Sequence, residues 1–377
     1  MSTHVAADDF KVESFNHLLE GRHVLALEKM LAHLTVQPKD IDGWISAARL
    51  QQRLGRHDEA DAIADSVDAM TKRPQDTLWL RQLNDFLRQF PAEAAYNLCG
   101  EMESRPNYIN LLQLKTKIQD ALTRKVGFSF IRLGDGEGAF IKISDEDEDK
   151  YSELYRFTRK NRSDVWFGGT IDIENSGFNR LALEIHFAID RADVVGVPPL
   201  HWLQYDYTIC SATGMPSLVN VLRYFNLKSN TETQSYIHHA SHIELYREGY
   251  LGEILREQSQ VGLISCHAQA PDVLKRVFGF DDVEFYKTPG EKQNVHLLGE
   301  LATEGQHYPD RFHHIMTALR RPLQGKLFLV AAGLLGKFYC DQIKLSGGIA
   351  IDIGSLIDGW MGIDTRPGVG FDRDKLE

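Results

Sequence analysis

From Phe128 onward the chain alternates short apolar runs with helical stretches, and this alternation limits the fold more than any other feature of the sequence. The runs are Phe128–Leu133, Asp193–Val197, Val261–Cys266, Val283–Tyr286, Leu327–Ala332 and Ile349–Ile353. Several are continuously apolar and rich in Val and Ile, as strands covered on both faces are. Helical patterns over Gly252–Glu257, Asp272–Val277 and Leu334–Lys344 lie between them. The expectation is an α/β, Rossmann-like domain with a largely parallel sheet. Ligands in such sheets gather outside the carboxyl ends of the strands, so the residues just after each run are the candidates for a site.

The first hundred residues follow a different pattern. Gly21-Arg22-His23 recurs thirty-four residues later as Gly55-Arg56-His57, and alanines follow at Ala26 and Ala60. The same interval links Phe10 to Trp44 and Ser14 to Ala48, while Pro38 and Pro74 close the two units. Apolar residues at Leu27, Met30, Leu31 and Leu34, then at Ala60, Ile63, Ala64 and Val67, fall on helical stripes. A glycine to end each first helix, small residues for close approach and a bulky aromatic against the neighbour make physical sense of a helix pair per unit. Over about residues 7 to 76 this resembles the tetratricopeptide repeat. A degraded third unit runs from Trp79 through Ala94 and Ala95 to Pro106, with Phe90 or Pro91 in the glycine's place. The expected organisation is helical repeats over 1–106, a connecting helix over 107–125 and the α/β domain over 126–377.

A length of 377 residues suits two domains. With 42 Lys+Arg against 53 Asp+Glu the formal charge is −11, which disfavours a general nucleic-acid binder because that activity needs a clustered positive surface. No run of eighteen apolar residues occurs and the first residues are acidic, so neither a membrane span nor a secretory signal is expected. Cys99, Cys210, Cys266 and Cys340 form no CxxC pair and read as reduced, buried thiols of a cytoplasmic protein rather than a zinc site.

The first run of the second half ends in Arg132-Leu133-Gly134-Asp135-Gly136-Glu137-Gly138. Three glycines after a strand suggest a phosphate loop, yet two carboxylates facing a pyrophosphate would repel it. A divalent cation between them removes the conflict, since hard cations take carboxylate and phosphate oxygens together. Arg132 is placed to meet remaining phosphate charge. The competing reading is an acidic turn that caps the next helix.

Ile131-Arg132-Leu133-Gly134-Asp135-Gly136-Glu137 resembles the signature of the GT-D fold glycosyltransferases, a bacterial group of nucleotide-sugar-dependent enzymes. The resemblance continues in Leu329-Val-Ala-Ala-Gly333-Leu-Leu-Gly336-Lys337 and in Gly347-Gly-Ile-Ala-Ile-Asp352-Ile-Gly354-Ser355-Leu-Ile-Asp358-Gly-Trp360. It spans roughly residues 126 to 364, and residues 140 to 260 carry no matched motif. It implies a nucleotide-sugar donor, with UDP favoured, and an Asp-x-Glu motif that serves where other glycosyltransferases use Asp-x-Asp. The acceptor hydroxyl would belong to a protein or a surface glycan.

Other constellations were weighed on their chemistry. Gly333 and Gly336 permit close backbone approach at a helix start, and Lys337 adds a point charge; this is no Walker A loop, because two residues separate the glycines and Phe338 follows the lysine. Alternatively the segment is a tight turn with an ordinary surface lysine. Asp352 or Ser355 would contact the donor, and Asp358 is the preferred base for the acceptor hydroxyl. Asp352 as a buried, hydrogen-bonded acid is nearly as good a reading. Trp360 reads as core more readily than as a sugar platform. His267 falls on the ligand side of its strand, but neighbours on an extended strand point to opposite faces, which argues against a Cys266–His267 pair. His238, His239 and His242 read as one helix with satisfied or exposed rings, not a zinc site. His313 and His314 read the same way, and Asp145–Asp149 as a solvated loop. Pro198–Trp202 follows a strand and is a candidate cleft wall.

The combined expectation is a cytoplasmic glycosyltransferase. Asp135 and Glu137 hold Mn²⁺ or Mg²⁺ at the loop of Gly134 and Gly136, the cation clamps a nucleotide diphosphate-sugar, and Arg132 with Lys337 offsets the leaving diphosphate's charge. His267 would touch donor or acceptor. The repeats offer a groove for a protein or peptide acceptor, or dock on the catalytic domain, or mediate dimerisation. Two rivals stand beside this reading: a non-catalytic binding scaffold and a metal-dependent phosphohydrolase.

Overall fold

A computed structural model of the chain describes residues 2–73, 77–173, 177–228 and 233–366, with side chains from residue 9 onward. The chain packs as two compact units: one takes residues 1–102, 142–159 and 198–227, the other 103–141, 160–197 and 228–377.

The first unit contains six consecutive helices, α1 (Ser2–Leu19), α2 (His23–Val36), α3 (Ile41–Arg53), α4 (His57–Thr71), α5 (Leu78–Gln89) and α6 (Ala92–Glu103), consistent with a helical repeat region. The thirty-four-residue interval is visible in the backbone. Gly21 and Gly55 both take φ of +72°, a left-handed value that glycine adopts without Cβ strain, and each separates two helices. Ala26 and Ala60 are buried where the helices meet, and the Ser14 hydroxyl donates to the Ala26 carbonyl at 2.7 Å. Leu31, placed by the sequence on the buried stripe, is exposed. Phe90, in the third unit's glycine position, has φ of −123°, so α5 is followed by a different turn. Pro74 lies outside the described residues.

The acidic run of the first unit is a helix, not the solvated loop expected from its composition. Asp145–Lys150 is capped by Ser144, whose hydroxyl accepts from the Asp147 amide at 3.0 Å. Asp147 accepts from Tyr155 at 2.5 Å and from Arg223, and Glu148 is paired with Arg159 at 2.8 Å. Arg223 is far along the chain, so local reading had no access to this pairing. Pro198 belongs to the same unit, and its carbonyl accepts from the Cys99 thiol at 3.6 Å.

The second unit is built on an all-parallel sheet of seven strands: β1 (Phe128–Arg132), β2 (Val194–Val197), β3 (Ser235–His238), β4 (Gln260–Ser265), β5 (Asp282–Lys287), β6 (Leu327–Val330) and β7 (Ile349–Asp352). Their order is β3-β2-β1-β7-β6-β4-β5. β1 is buried at all five positions, as a central strand covered on both faces must be. Its Phe130 stands opposite Val194 of β2 and Ile351 of β7. The helix Gly333–Leu345 packs on β1, β6 and β7. Gly336 allows that approach, since a Cβ there would lie 3.3 Å from a Val330 methyl. Leu263, Leu329, Ile351 and Trp360 belong to one large buried cluster, so Trp360 is core.

β3 corrects the reading of the histidine cluster. His238 ends a strand, His239 follows it, and only His242 lies in a helix, Ser241–Arg247. Ser235-Tyr-Ile-His is too short to show a period, and β2 supplies its ladder through Val194↔Ser235 to Val197↔His238. No helix among the described residues is long and apolar enough to cross a membrane. All four cysteines are buried, and none forms a disulfide.

On the edge strand β5, Glu284 accepts from Lys326 at 2.8 Å and also from Arg321 and Tyr286. Burial alone would raise this carboxyl, but these donors outweigh it and hold it at about 2, below the ordinary 4.5. A carboxylate depressed in the folded state stabilises above its unfolded pKa and loses that contribution as pH falls through the folded value. Urea unfolding of Glu284→Gln should therefore show reduced stability at neutral pH and a shallower acid loss than wild type between about pH 4.5 and pH 2.

Candidate functional site

β1 and β7 are neighbours where the strand order runs down to β1 and restarts, the position at which open α/β sheets place their ligand crevice. After Arg132 and Leu133 the chain turns at Gly134 into a four-residue helix, Asp135–Gly138. The Gly134 amide donates to Glu137 Oε2 at 3.0 Å, so the acidic turn is self-capping. Residues two apart on a helix point ~200° apart around its axis. Glu137 accordingly faces inward and is buried, whereas Asp135 stays partly exposed, with 30% of its side chain accessible, and pairs with Arg162.

Beneath the turn lies a closed network of charges. Lys337 Nζ is 2.8 Å from Glu137 Oε1 and 2.8 Å from Asp352 Oδ2. Arg132 Nη2 donates to Asp352 Oδ1 at 3.0 Å, and its Nε to the Asp352 carbonyl at 3.1 Å. The Gly354 amide adds a bond to Asp352 Oδ1 at 3.1 Å. Two cations thus balance two anions, all buried. Burial opposes ionisation of Asp352, yet Arg132 and Lys337 overcome it and hold its carboxyl far below the usual range. For Lys337 burial acts downward, and Asp352 with Glu137 reverses it, so its ammonium is raised. The lysine therefore points into the network and not out to solvent. Gly354, at φ +47°, has no Cβ to collide with the Arg132 guanidinium, which explains glycine there.

Two histidines seal the far side. Arg132 Nη1 lies 3.1 Å from His242 Nε2. Burial, then the Arg132 charge, pushes His239 and His242 well below the ordinary imidazole value, so both are neutral. Trp166 covers the glycine turns from outside. A Cβ on Gly136 would sit 2.8 Å from its ring, and one on Gly333 would sit 3.7 Å from its Nε1. Gly333 itself is exposed at φ +52°, at the start of its helix.

A second cluster is formed beyond β4 and β7. His267 Nε2 is 2.7 Å from Asp358 Oδ1, and Thr365 donates to Asp358 Oδ2 at 2.6 Å. Ser355 is half-buried, and its carbonyl accepts from the Asp358 amide at 3.1 Å. The ligand atoms of Cys266, His267 and Asp358 all lie within 4.8 Å of one another. The strand-alternation argument against a Cys266–His267 meeting does not hold, because β4 stops at Ser265 and the two residues are already in the following loop. Burial first, and then Asp358, pushes the Cys266 thiol up to about 12, so it is protonated at neutral pH. Glu291 links the clusters electrostatically. Burial raises its carboxyl, Arg366 opposes, and the negative charges of Asp358 and Asp135 add to the rise.

Arg132, Glu137, Lys337 and Asp352 are thus brought into direct contact, with Gly134, Gly136, Gly333 and Gly336 shaping the backbone around them. His267 and Asp358 form a pair of their own. Sequence reasoning missed Arg162, Trp166, Glu291 and Thr365, none of which lies in a matched motif, and read His242 only as a satisfied or exposed ring. Only Glu291 carried a local cue, since Thr288-Pro289-Gly290 marks a turn just after β5.

Because breaking a buried ion network strands its remaining charges, Asp352→Asn should cost about 3–5 kcal/mol of unfolding free energy. Equilibrium denaturation measures this directly, and a loss under about 1 kcal/mol would contradict the network's structural role.

A search of curated proteins and a search of solved structures each return no match. A family model described as the GT-D fold-like domain matches residues 109–360. That span covers about two thirds of the chain, every strand of the sheet and the loops just described, and its fold is of the glycosyltransferase type. The chain belongs to the GT-D fold-like domain family.

Proposed function

We propose that the protein is a glycosyltransferase that moves a sugar from a nucleoside diphosphate-sugar, with UDP favoured by the resemblance, to a hydroxyl acceptor. The observation that carries this is convergence: residues of three separate family motifs, after β1, β6 and β7, meet in one charge network at the ligand end of the sheet. Asp135 and Glu137 are the proposed holders of Mn²⁺ or Mg²⁺. The donors suit a hard cation, being carboxylate oxygens only. As placed they point apart, Asp135 paired with Arg162 and Glu137 with Lys337, so joint ligation of one ion requires Asp135 to leave Arg162 and the turn to bring both acids to one side. Bound there, the ion would supply Lewis-acid stabilisation of the departing diphosphate.

The chain's own residues divide the remaining work. Gly333, exposed at the start of its helix, lets a diphosphate approach the backbone, with Trp166, packed on the buried Gly136, as the wall beside it. Arg132 and Lys337 are committed to Asp352 and Glu137, so they act on the donor through their field from below. Asp358 accepts the proton of the acceptor hydroxyl. Its oxygens accept from His267 and Thr365, which orient the carboxylate, and each retains a second lone pair. Ser355 contacts the donor. The six-helix region is the proposed seat of a protein or peptide acceptor.

The test is a panel of nucleotide-sugars incubated with the purified protein, with and without Mn²⁺, assayed for nucleotide and sugar release. One donor should be cleaved in a metal-dependent way. Asp135→Ala combined with Glu137→Ala should lower turnover by about 10²–10³-fold or more, while Asp358→Asn should lower it by about 10²–10⁴-fold. Wild-type turnover in the double variant would sink the mechanism. Phosphate release from simple phosphomonoesters would point instead to a hydrolase, and silence with every donor to a binding scaffold.

A further inference from the structure

The first unit contains a cavity of about 350 Å³ that the proposed activity does not use. Its walls come from α1, α2, α3 and the segment after Thr208, and Val12, Phe15, Leu18, Met30, Leu50 and Ile209 make them predominantly apolar. The polar side chains at its edge are mostly engaged elsewhere. Ser14 donates to the Ala26 carbonyl, Ser46 to the Asp42 carbonyl, and Lys11 is paired with Asp40.

Arg49 is the exception. Its Nη2 donates to the Cys210 carbonyl, but its buried Nε has no hydrogen-bond partner, and no carboxylate among the described residues pairs with it. Arg53, one turn further along the same face of α3, likewise has a buried Nε without a partner and no carboxylate among the described residues. A half-buried guanidinium whose Nε is shut off from water and unpaired is an incompletely satisfied cation without a counter-charge. In a chain of net charge −11, rich in available carboxylates, that arrangement asks for an anion from outside.

We infer that this cavity binds a small anionic amphiphile, a medium-chain monocarboxylate whose head pairs with Arg49 and whose tail lies against the apolar wall. Charge complementarity fixes the head and the wall fixes the tail. A peptide is disfavoured, because its buried amides would need partners that Ser14, Ser46 and Lys11 do not offer. Size sets the length: at the ~30 Å³ that one water occupies in the liquid, the cavity takes about twelve heavy atoms, those of a ten-carbon carboxylate. Pockets of this size fall at the lower end of the range for small-molecule sites.

Isothermal titration of the full-length protein with decanoate and with decan-1-ol tests the assignment. Decanoate should bind with one-to-one stoichiometry and at least about tenfold more tightly than the alcohol, the ratio expected from one charge-assisted contact. Arg49→Gln should weaken decanoate by a similar factor and leave the alcohol unchanged. Val12→Trp, at an exposed wall position that does not threaten folding, should abolish both by filling the cavity. Absence of saturable decanoate binding, or equal affinity for acid and alcohol, overturns the proposal. So does decanoate binding that is indifferent to Val12→Trp.

Discussion

The ammonium of Lys337, held between Glu137 and Asp352, is the interaction on which the site's architecture depends. It joins the turn after β1 to the end of β7 through a helix that follows β6, so three strand ends are fixed by one point charge. Arg132 completes the arrangement from inside β1. Burying four charges is costly in desolvation and is repaid only by close, saturated geometry. Here Asp352 accepts from two side chains and from the backbone amides of Arg132 and Gly354, and Glu137 accepts from Lys337 and from the amide of Gly134. The network ties down the glycine turns above it, the kind of support that holds first-contact groups of a site in one geometry.

The two acids of the Asp-x-Glu motif consequently differ in kind. Their spacing on a single helical turn sends Glu137 into the protein and leaves Asp135 at the surface beside Arg162. A motif that reads as a symmetric pair of ligands is, in three dimensions, one carboxylate anchored to the core and one carboxylate facing out. Trp166 lies across the same turns, and its ring, rather than any charged group, occupies the space that a side chain at Gly136 would need.

The His267–Asp358 pair occupies the other end of the site. Thr365 and His267 each engage one oxygen of Asp358, and the charges of Asp358 and Asp135 both act on Glu291.

Local physics was enough for much of this protein. Alternating apolar runs and helical stretches specify a parallel α/β unit because strands covered on both faces are largely apolar, and the six runs so marked coincide with six of the seven strands, the half-buried edge strand β5 included. Glycines thirty-four residues apart specify repeated helix pairs, since only glycine takes a left-handed turn without strain, and Gly21 and Gly55 share one φ. The glycine and acid motifs likewise pointed to the ends of β1, β6 and β7, where Arg132, Glu137, Lys337 and Asp352 meet. Tertiary structure alone decided the rest. β3 is a strand because β2 offers it a ladder, the acidic helix is held in place by Arg223 from far along the chain, and Lys337 turns inward because Asp352, fifteen residues away along the chain, lies in the adjacent strand. Periodicity reports which face of an element is buried, and partnership across the sheet is set by distances in space that the order of residues does not contain.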